Sequence, residues 1–532
     1  MAGRATHWPK VIIIGLDGGT LDLIRPWAKR GELPNLQSLM RSGVSGPLTS
    51  TVPPITPVAW SAFLTGQPPE RHGVYDFVER LPQSYRTRVT HANSRRCPSF
   101  WQTLSAAGLV VGALHTPFTY PPERVRGFMV SGFDAPRLDR SAVSPPEAMD
   151  CIADLCRGYV HGSLPMRPRA TYADRAGEKA RRLVAMALRL QSRWPCDVLM
   201  ITASSTDHVQ HHFWPEGQAA DQVVRAGGEI LATYRSVDAA IGELLSAVRG
   251  PETTVLVMSD HGAGPLMGHV NQTRVLAEAG LLRLRGAAAG SRSARASVRA
   301  VRGIRPLFRS GLAKPLKPLA LRLMPESAKA RVAETELDAI DWSRTRAFAW
   351  GTYGKVQVNL AGREPEGCVQ PGSDYKAVLA DVEQAFLSLR DPRTDEPVIE
   401  GCIRTAEQRG APPTDGAPDL LLIPRGYAYD PGPHLGHSDL PLVFGPSEAP
   451  APLSTLTAMH RMDGCLIVSD PKAATGELPC HDLQGLRRVI LQYAGVECPA
   501  DPADAHAPAS GSGYSAEEEA LVEARLRDLG YL

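Results

Sequence analysis

The sequence predicts an α/β protein built on a doubly wound, mostly parallel sheet flanked by helices. Short apolar runs at Lys10–Leu16, Leu109–Leu114, Asp197–Thr202 and Thr253–Met258 read as strands buried on both faces. Helical stretches such as Ala176–Gln191 and Glu229–Arg249 lie between them, and strands alternating with helices imply parallel pairing. No fixed-period repeat is visible, which argues against a solenoid.

Composition sets the outer limits. With 532 residues, 43% of them hydrophobic and 21% charged, the chain is neither disordered nor fibrous and can bury a large core. No run reaches the length of about 18 apolar residues that a membrane span needs. The run Val11–Ile14 meets Asp17 almost at once, too soon for the apolar core of a secretory signal. A cytoplasmic protein is expected, with peripheral attachment to a membrane left open. The nine cysteines are odd in number and none is spaced C-x-x-C, so neither a disulfide framework nor a thiolate zinc site is expected. Any metal should be held by His and carboxylate.

Taken in order, residues 8–281 form the first part of the α/β core. Residues 282–339 differ in character, being rich in Arg, Ala, Leu and Pro, and read as a basic helical insertion or cap. Between Arg283 and Arg331 stand thirteen Lys or Arg and one acid, Glu326, giving +12 against −10 for the rest of the chain. Arg292, Arg295, Arg299, Arg302 and Arg309 would form one stripe on a helix, broken by Pro306, Pro315 and Pro318. Its plain reading is a solvated cap, and its sharper one a surface over residues 283–331 for anionic lipid or another polyanion. Residues 340–498 resume the core. Residues 499–532 are a linker and a C-terminal helix, with Ser515 as N-cap, acids in its first turn, and Leu521, Val522, Leu526 and Leu529 as docking residues.

Three of the strands lead to acids, and open α/β sheets bind ligands at the carboxyl ends of their strands. The first ends in Asp17-Gly18-Gly19, the third leads through a Ser/Thr loop to Asp207, and the fourth ends in Asp260-His261-Gly262. Asp207 and His211 are one helical turn apart. A further histidine, His460, precedes the strand Cys465–Ser469. Each motif alone has a plainer reading: a turn, a surface pair, a strand end. Together, three acids and three histidines suit two metal ions, zinc by ligand type, with manganese the alternative. His208 and His212 sit off the Asp207 spacing and are read as structural. Thr56, after a Pro-rich loop and before Pro57, reads as the N-cap of a helix whose positive end suits phosphate. Beside the metal set its hydroxyl becomes a candidate nucleophile rather than a cap alone.

These residues resemble the alkaline phosphatase superfamily, in particular its type I phosphodiesterase/nucleotide pyrophosphatase branch. The likeness rests on Gly15-Leu16-Asp17-Gly18, the Thr56–Gly66 loop with His72-Gly73, Thr206–His211, Ser259–Gly262 and Met459-His460-Arg461. Smaller matches are Tyr120-Pro121-Pro122, Gly362–Pro365, Ala417-Pro418-Asp419 and the ending Leu529–Leu532. The resemblance implies an alkaline phosphatase-like fold with Asp17, Thr56, Asp260 and His261 on one divalent ion and Asp207, His211 and His460 on the other. It implies in-line attack by Thr56, a phospho-threonine intermediate and release by water, with a small-molecule phosphoester as substrate and diesters preferred. No specific nucleic-acid binding is expected. The nucleotide pyrophosphatases carry an Asn three residues after the nucleophile; here that position is Ala59. Nucleotide specificity is therefore not implied, and Asn271 is taken as a candidate donor to the phosphoryl oxygens.

Other readings were weighed beside this one. A phosphomonoesterase or a phospho-alcohol transferase would use the same residues. A sulfatase would need a Cys-x-Pro-x-Arg context, which Cys97-Pro98-Ser99 does not supply. A metal-stabilised scaffold or binding protein is the non-enzymatic alternative, against which the completeness of the seven-residue set argues.

Overall fold

The computed structural model describes residues 7–162, 164–166, 168–285, 337–410, 412–414, 416–434, 440–450, 453–472, 478–499 and 513–528. Its centre is an eight-stranded sheet. The order across it is Val44–Thr49, Asp463–Ser469, Thr254–Met258, Val11–Leu16, Val198–Ala203, Val111–Leu114, Gly127–Val130 and Val143–Ser144. The strands from Thr254–Met258 to Gly127–Val130 run parallel. Asp463–Ser469 pairs antiparallel with both its neighbours, and Val143–Ser144 closes the far edge antiparallel.

The double winding follows from side-chain alternation along a strand. In Val11–Leu16, the side chains of Ile12, Ile14 and Leu16 join one core with the helices Leu21–Lys29, Tyr172–Arg193 and Gly228–Val248. Val11 and Ile13 face the opposite way, into a core made with Thr56–Thr65, Phe100–Ala106 and Leu483–Ala494. A strand covered on both faces must be apolar at every position, and all six residues of Val11–Leu16 are buried. That is why the four central strands were readable as continuous apolar runs.

A smaller antiparallel sheet, in the order Ala347–Ala349, Lys355–Val358, Leu420–Pro424, Ile399–Arg404, packs with the helix Ser373–Leu387 around its own core. Two of the smaller family matches meet there. Arg363 donates to both carboxylate oxygens of Asp419, at 2.9 and 2.6 Å, and also reaches Glu364. The pair is buried and bidentate, a scaffold contact rather than part of the site at the sheet edge.

The C-terminal helix spans Ala516–Asp528, and Ser515 and Glu518 cap it reciprocally. Val522 and Leu526 dock as expected against Phe77, Phe118 and Phe133. Leu521 does not: it is 40% exposed, because it lies on the outer side of the turn that buries Val522. Leu529 and the ending Leu529–Leu532 lie outside the described residues, as does the stripe Arg292, Arg295, Arg299, Arg302 and Arg309. Among the described residues all nine cysteines are free thiols, and no helix is long and apolar enough to cross a membrane.

Candidate metal centre

The carboxyl edge of the sheet gathers the predicted residues. Asp17 follows the first strand directly, and Gly18 turns the chain away with φ 66°. A Cβ on Gly18 would stand 2.8 Å from Asp207 Oδ1, so the turn needs glycine for both reasons. Strand Val198–Ala203 is followed at once by the helix Ser205–Phe213, whose first turn carries Asp207 and whose last carries His211. The Thr206 hydroxyl donates to the Asp17 carbonyl at 2.6 Å and ties this helix to the first strand. Asp260 and His261 come just beyond Thr254–Met258, and Gly18 N–H donates to Asp260 Oδ1 at 3.2 Å.

His460 arrives differently from its sequence placement. It lies within a strand of its own, Ala458–Arg461, paired antiparallel with Gly262–Pro265 so that His460 stands opposite Ala263. This short ribbon lays His460 over His261, with ring centroids 3.4 Å apart. Thr56 is also shifted by one position. Ile55 is the N-cap and Thr56 the first residue of the helix Thr56–Thr65, every residue of which is buried. Pro57 has no N–H, and those of Val58 and Ala59 donate to Ile55 O. Among the described residues the Thr56 N–H has no backbone acceptor.

All seven predicted residues converge. His261 Nε2 lies 3.2 Å from Asp260 Oδ2, 3.6 Å from Asp17 Oδ1 and 3.5 Å from Thr56 Oγ1. Asp207 Oδ1 lies 3.2 Å from His211 Nε2 and 3.5 Å from His460 Nε2. The ligand-type atoms of Asp17, Asp260 and His261 all lie within 4.8 Å of one another, as do those of Asp207, His261 and His460. None of the seven is more than 4% exposed.

The histidine tautomers follow from their outer contacts. His211 Nδ1 meets Ala458 O at 2.7 Å, His460 Nδ1 meets Pro54 O at 2.7 Å, and His261 Nδ1 meets Gly262 O at 3.0 Å. A carbonyl only accepts, so Nδ1 carries the proton in each ring and Nε2 presents its lone pair inward. His211 Nε2 and His460 Nε2 then face each other at 3.0 Å, close enough for one cation to take both lone pairs. Asp17 Oδ1 and Asp260 Oδ2 are buried and, among the described residues, have no hydrogen-bond partner. Burial, then the neighbouring Asp260 and Asp207, pushes the Asp17 carboxyl well above the ordinary range. Burial also raises Asp260. Burial works against ionisation of Asp207 too; with a second proton on His211, that ring, with His460 and His261 behind it, would hold the carboxyl well below the ordinary range. Crowded carboxylates and inward lone pairs fit divalent cations by donor type and by charge.

The flanking residues hold this cluster in place. The Ser259 hydroxyl donates to Gly19 O at 2.7 Å and accepts from Cys465 N–H at 2.6 Å. Gln210 donates to Gly18 O at 2.8 Å. His208 and His212 are buried, and burial lowers them to about 3 and about 4, as befits neutral packing residues. Asn271, the candidate oxyanion donor, caps the helix Gln272–Glu278 by accepting from Arg274 N–H at 3.2 Å. The sequence reading passed over His115 and Lys179. His115 directly follows the strand Val111–Leu114, so the strand-end rule that found the acids would have found it.

A family model described as type I phosphodiesterase / nucleotide pyrophosphatase matches residues 11–317. Among solved structures, the chain resembles phosphonoacetate hydrolase from Sinorhizobium meliloti 1021 in complex with phosphonoformate. The TM-score is 0.55 at 15% identity, over 93% of this chain and 98% of that one. The same protein in complex with phosphonoacetate gives a TM-score of 0.54 at 14% identity with the same coverage. At such identity the likeness is one of fold. No curated protein matches the sequence significantly.

Proposed function

The chain belongs to the type I phosphodiesterase / nucleotide pyrophosphatase family, and from that membership we propose that it is a metal-dependent hydrolase of phosphoric esters with Thr56 as nucleophile. The observation that carries the reading is the meeting of His211 Nε2 and His460 Nε2 at 3.0 Å, beside three buried carboxylates, with each Nδ1 committed to a carbonyl. Asp17, Thr56, Asp260 and His261 would hold one divalent ion, and Asp207, His211 and His460 a second. Zinc suits the ligand types, with manganese the alternative. Such ions supply Lewis acidity, lowering the pKa of a hydroxyl or a water and offsetting charge on the phosphoryl group.

The chain's own residues define the remaining steps. Thr56 Oγ1 attacks phosphorus in line, the alcohol departs on the opposite side, and a phospho-threonine forms at the helix start. Water then cleaves it. The Thr56 N–H supports the oxyanion in both steps. Diesters are the proposed substrates. Ala59, fully buried on this helix, stands where the family's nucleotide-cleaving members carry an Asn, so the reading does not extend to nucleotides.

The test is a panel of nitrophenyl diesters and a nitrophenyl monoester, assayed with zinc and with manganese, alongside elemental analysis of the purified chain. About two transition-metal ions per chain and a higher kcat/KM for a diester are expected. A metal-free chain with full activity would overturn the proposal; a monoester preference would move it to the phosphomonoesterase reading.

A further inference from the structure

The turn between the strands Ala347–Ala349 and Lys355–Val358 brings the smaller sheet up to the metal cluster. Its backbone is out of the ordinary: Gly351 (φ 62°), Tyr353 (φ 54°) and Gly354 (φ 79°) all lie in the left-handed region. Glycine occupies that region freely, whereas a bulky side chain does so only where its surroundings impose it. Here a buried carboxylate imposes it. Asp76 accepts from Thr352 N–H at 2.6 Å and from Thr352 Oγ1 at 2.9 Å, and it pairs with Lys355 Nζ at 2.8 Å. Asp76 and Lys355 are both fully buried. A Cβ on Gly351 would collide with Asp76 Oδ2, so the turn closes directly on that carboxylate.

The pinned turn delivers the Tyr353 ring to His460. The two ring centroids are 5.4 Å apart with 33° between the planes, and His261 stacks on the same imidazole at 3.4 Å. Tyr353 also shares one apolar cluster with Ile55, Val58 and Met459. Ile55 and Val58 bracket Thr56 at the start of its helix, and Met459 immediately precedes His460. The hydrogen bond from His460 Nδ1 to Pro54 O fixes that nitrogen but not the tilt of the ring plane; flat neighbours do that. Among the described residues the Tyr353 hydroxyl has no side-chain hydrogen-bond partner, which leaves the ring as the part that packs.

We infer that Tyr353 is a positioning residue: it holds the His460 imidazole and the start of the Thr56 helix in the geometry that one metal ion and the reacting phosphoryl group need. The inference rests on the proposed function, since it takes His460 as a metal ligand and Thr56 as the nucleophile. It also gives the strained turn a purpose, because a relaxed turn would not carry a large ring to this place. Groups that orient a metal ligand are commonly worth about 10–100-fold in metal affinity or activity.

Zinc titration of the metal-stripped chain against a chromophoric chelator tests this. In Tyr353→Leu the affinity for the ion that Asp207→Asn loses should fall at least about tenfold, while the other ion changes by about threefold or less. Tyr353→Phe keeps the ring and should stay within about twofold of the unaltered chain. Phe348→Leu, in the core of the smaller sheet, is the control for lost packing: it should lower Tm and leave both zinc affinities where they were. Unchanged affinities in Tyr353→Leu, or an equal loss in Tyr353→Phe, overturn the inference. Should Tyr353→Leu not fold, Thr352→Val decides, since it keeps the ring but frees the turn from one Asp76 contact: weaker binding of the same ion upholds the inference and unchanged binding overturns it. Affinity is read without turnover. A chain whose ion depends on the Tyr353 ring yet which hydrolyses no ester upholds the inference and overturns only the reaction proposed above. A chain that binds neither zinc nor manganese overturns both.

Discussion

Thr56 and Asp207 carry the two halves of the candidate site, and each gives a separable prediction. Thr56→Ala should fold, because the fully buried helix around it is held by apolar contacts rather than by the hydroxyl. Its turnover of a nitrophenyl diester should drop by roughly three orders of magnitude or more, as when other covalent nucleophiles are removed. Thr56→Ser keeps the hydroxyl and should keep part of the activity; near-normal turnover in the Ala variant would reject the nucleophile. Asp207→Asn removes the charge shared by His211 at 3.2 Å and His460 at 3.5 Å. Elemental analysis of that variant should show the loss of about one ion per chain. At this scale the convergence of the acids was legible because an open α/β sheet gathers its strand ends at one edge. Lys179 was not legible, since a lysine on an amphipathic helix ordinarily faces water. The folded chain at 161–162 and the end of the neighbouring strand bury it instead.

At the scale of elements, the Thr56–Thr65 helix is set against the first strand by a glycine. A Cβ on Gly15 would stand 2.8 Å from the ring of Trp60 and 2.9 Å from Thr202 Oγ1. Gly15→Ala must therefore push the helix from the strand or the strand from its neighbour. Overpacking of this kind costs about 1–3 kcal/mol, readable by urea unfolding. Because Trp60 rides on the same helix as Thr56, kcat should fall as well. Gly401→Ala is the control: its Cβ meets nothing nearer than Ile423 at 3.8 Å, and its effect should stay within about 0.5 kcal/mol. The central strands were legible because burial on both faces demands unbroken apolar runs. The ribbon that carries His460 was not, because Ala458–Arg461 is too short for a periodicity and pairs with residues far away in sequence.

The whole molecule carries several imidazoles that burial keeps neutral: His72, His161 and His208 are lowered to about 3, and His212 to about 4. Their folded pKa values lie below the unfolded value near 6.5, so the unfolded chain binds more protons in acid. The stability they leave intact above pH 6.5 is lost as pH falls from 6.5 toward 3–4, on the order of 1 kcal/mol per histidine per pH unit. Asp17 and Asp260, raised by burial, act in the opposite sense in the metal-free chain. Calorimetry of the metal-loaded chain should show Tm falling steadily from pH 6.5 to acid, and a flat profile would contradict the neutral imidazoles. Chelation at neutral pH should lower Tm too, since ions that bind only the folded state stabilise it by mass action. The +12 stretch from Arg283 to Arg331 is tested with vesicles. If it attaches to anionic lipid, the chain should co-sediment with anionic but not neutral vesicles and be released by salt, since exposed charges are screened. Equal recovery on both would leave the stretch as a cap.

Wherever a local pattern has one physical cause, the sequence by itself determined the outcome: the alternating α/β order, the doubly buried strands, the acids at their ends and the Asp207–His211 helical turn. All of these depend on neighbours within a few residues. What only the tertiary structure decided depends on contacts across hundreds of residues. Thr56 moved from the cap into the helix because Ile55 takes the capping position and its carbonyl accepts from Val58 and Ala59. The antiparallel ribbon carried His460 onto His261, and backbone carbonyls at Ala458 and Pro54 chose which nitrogen faces inward. The buried group of His115, His161, Lys179 and Ser204 is drawn from separate segments. No spacing in the sequence encodes that meeting, because the parallel order of the sheet, and not the order of the chain, makes those residues neighbours.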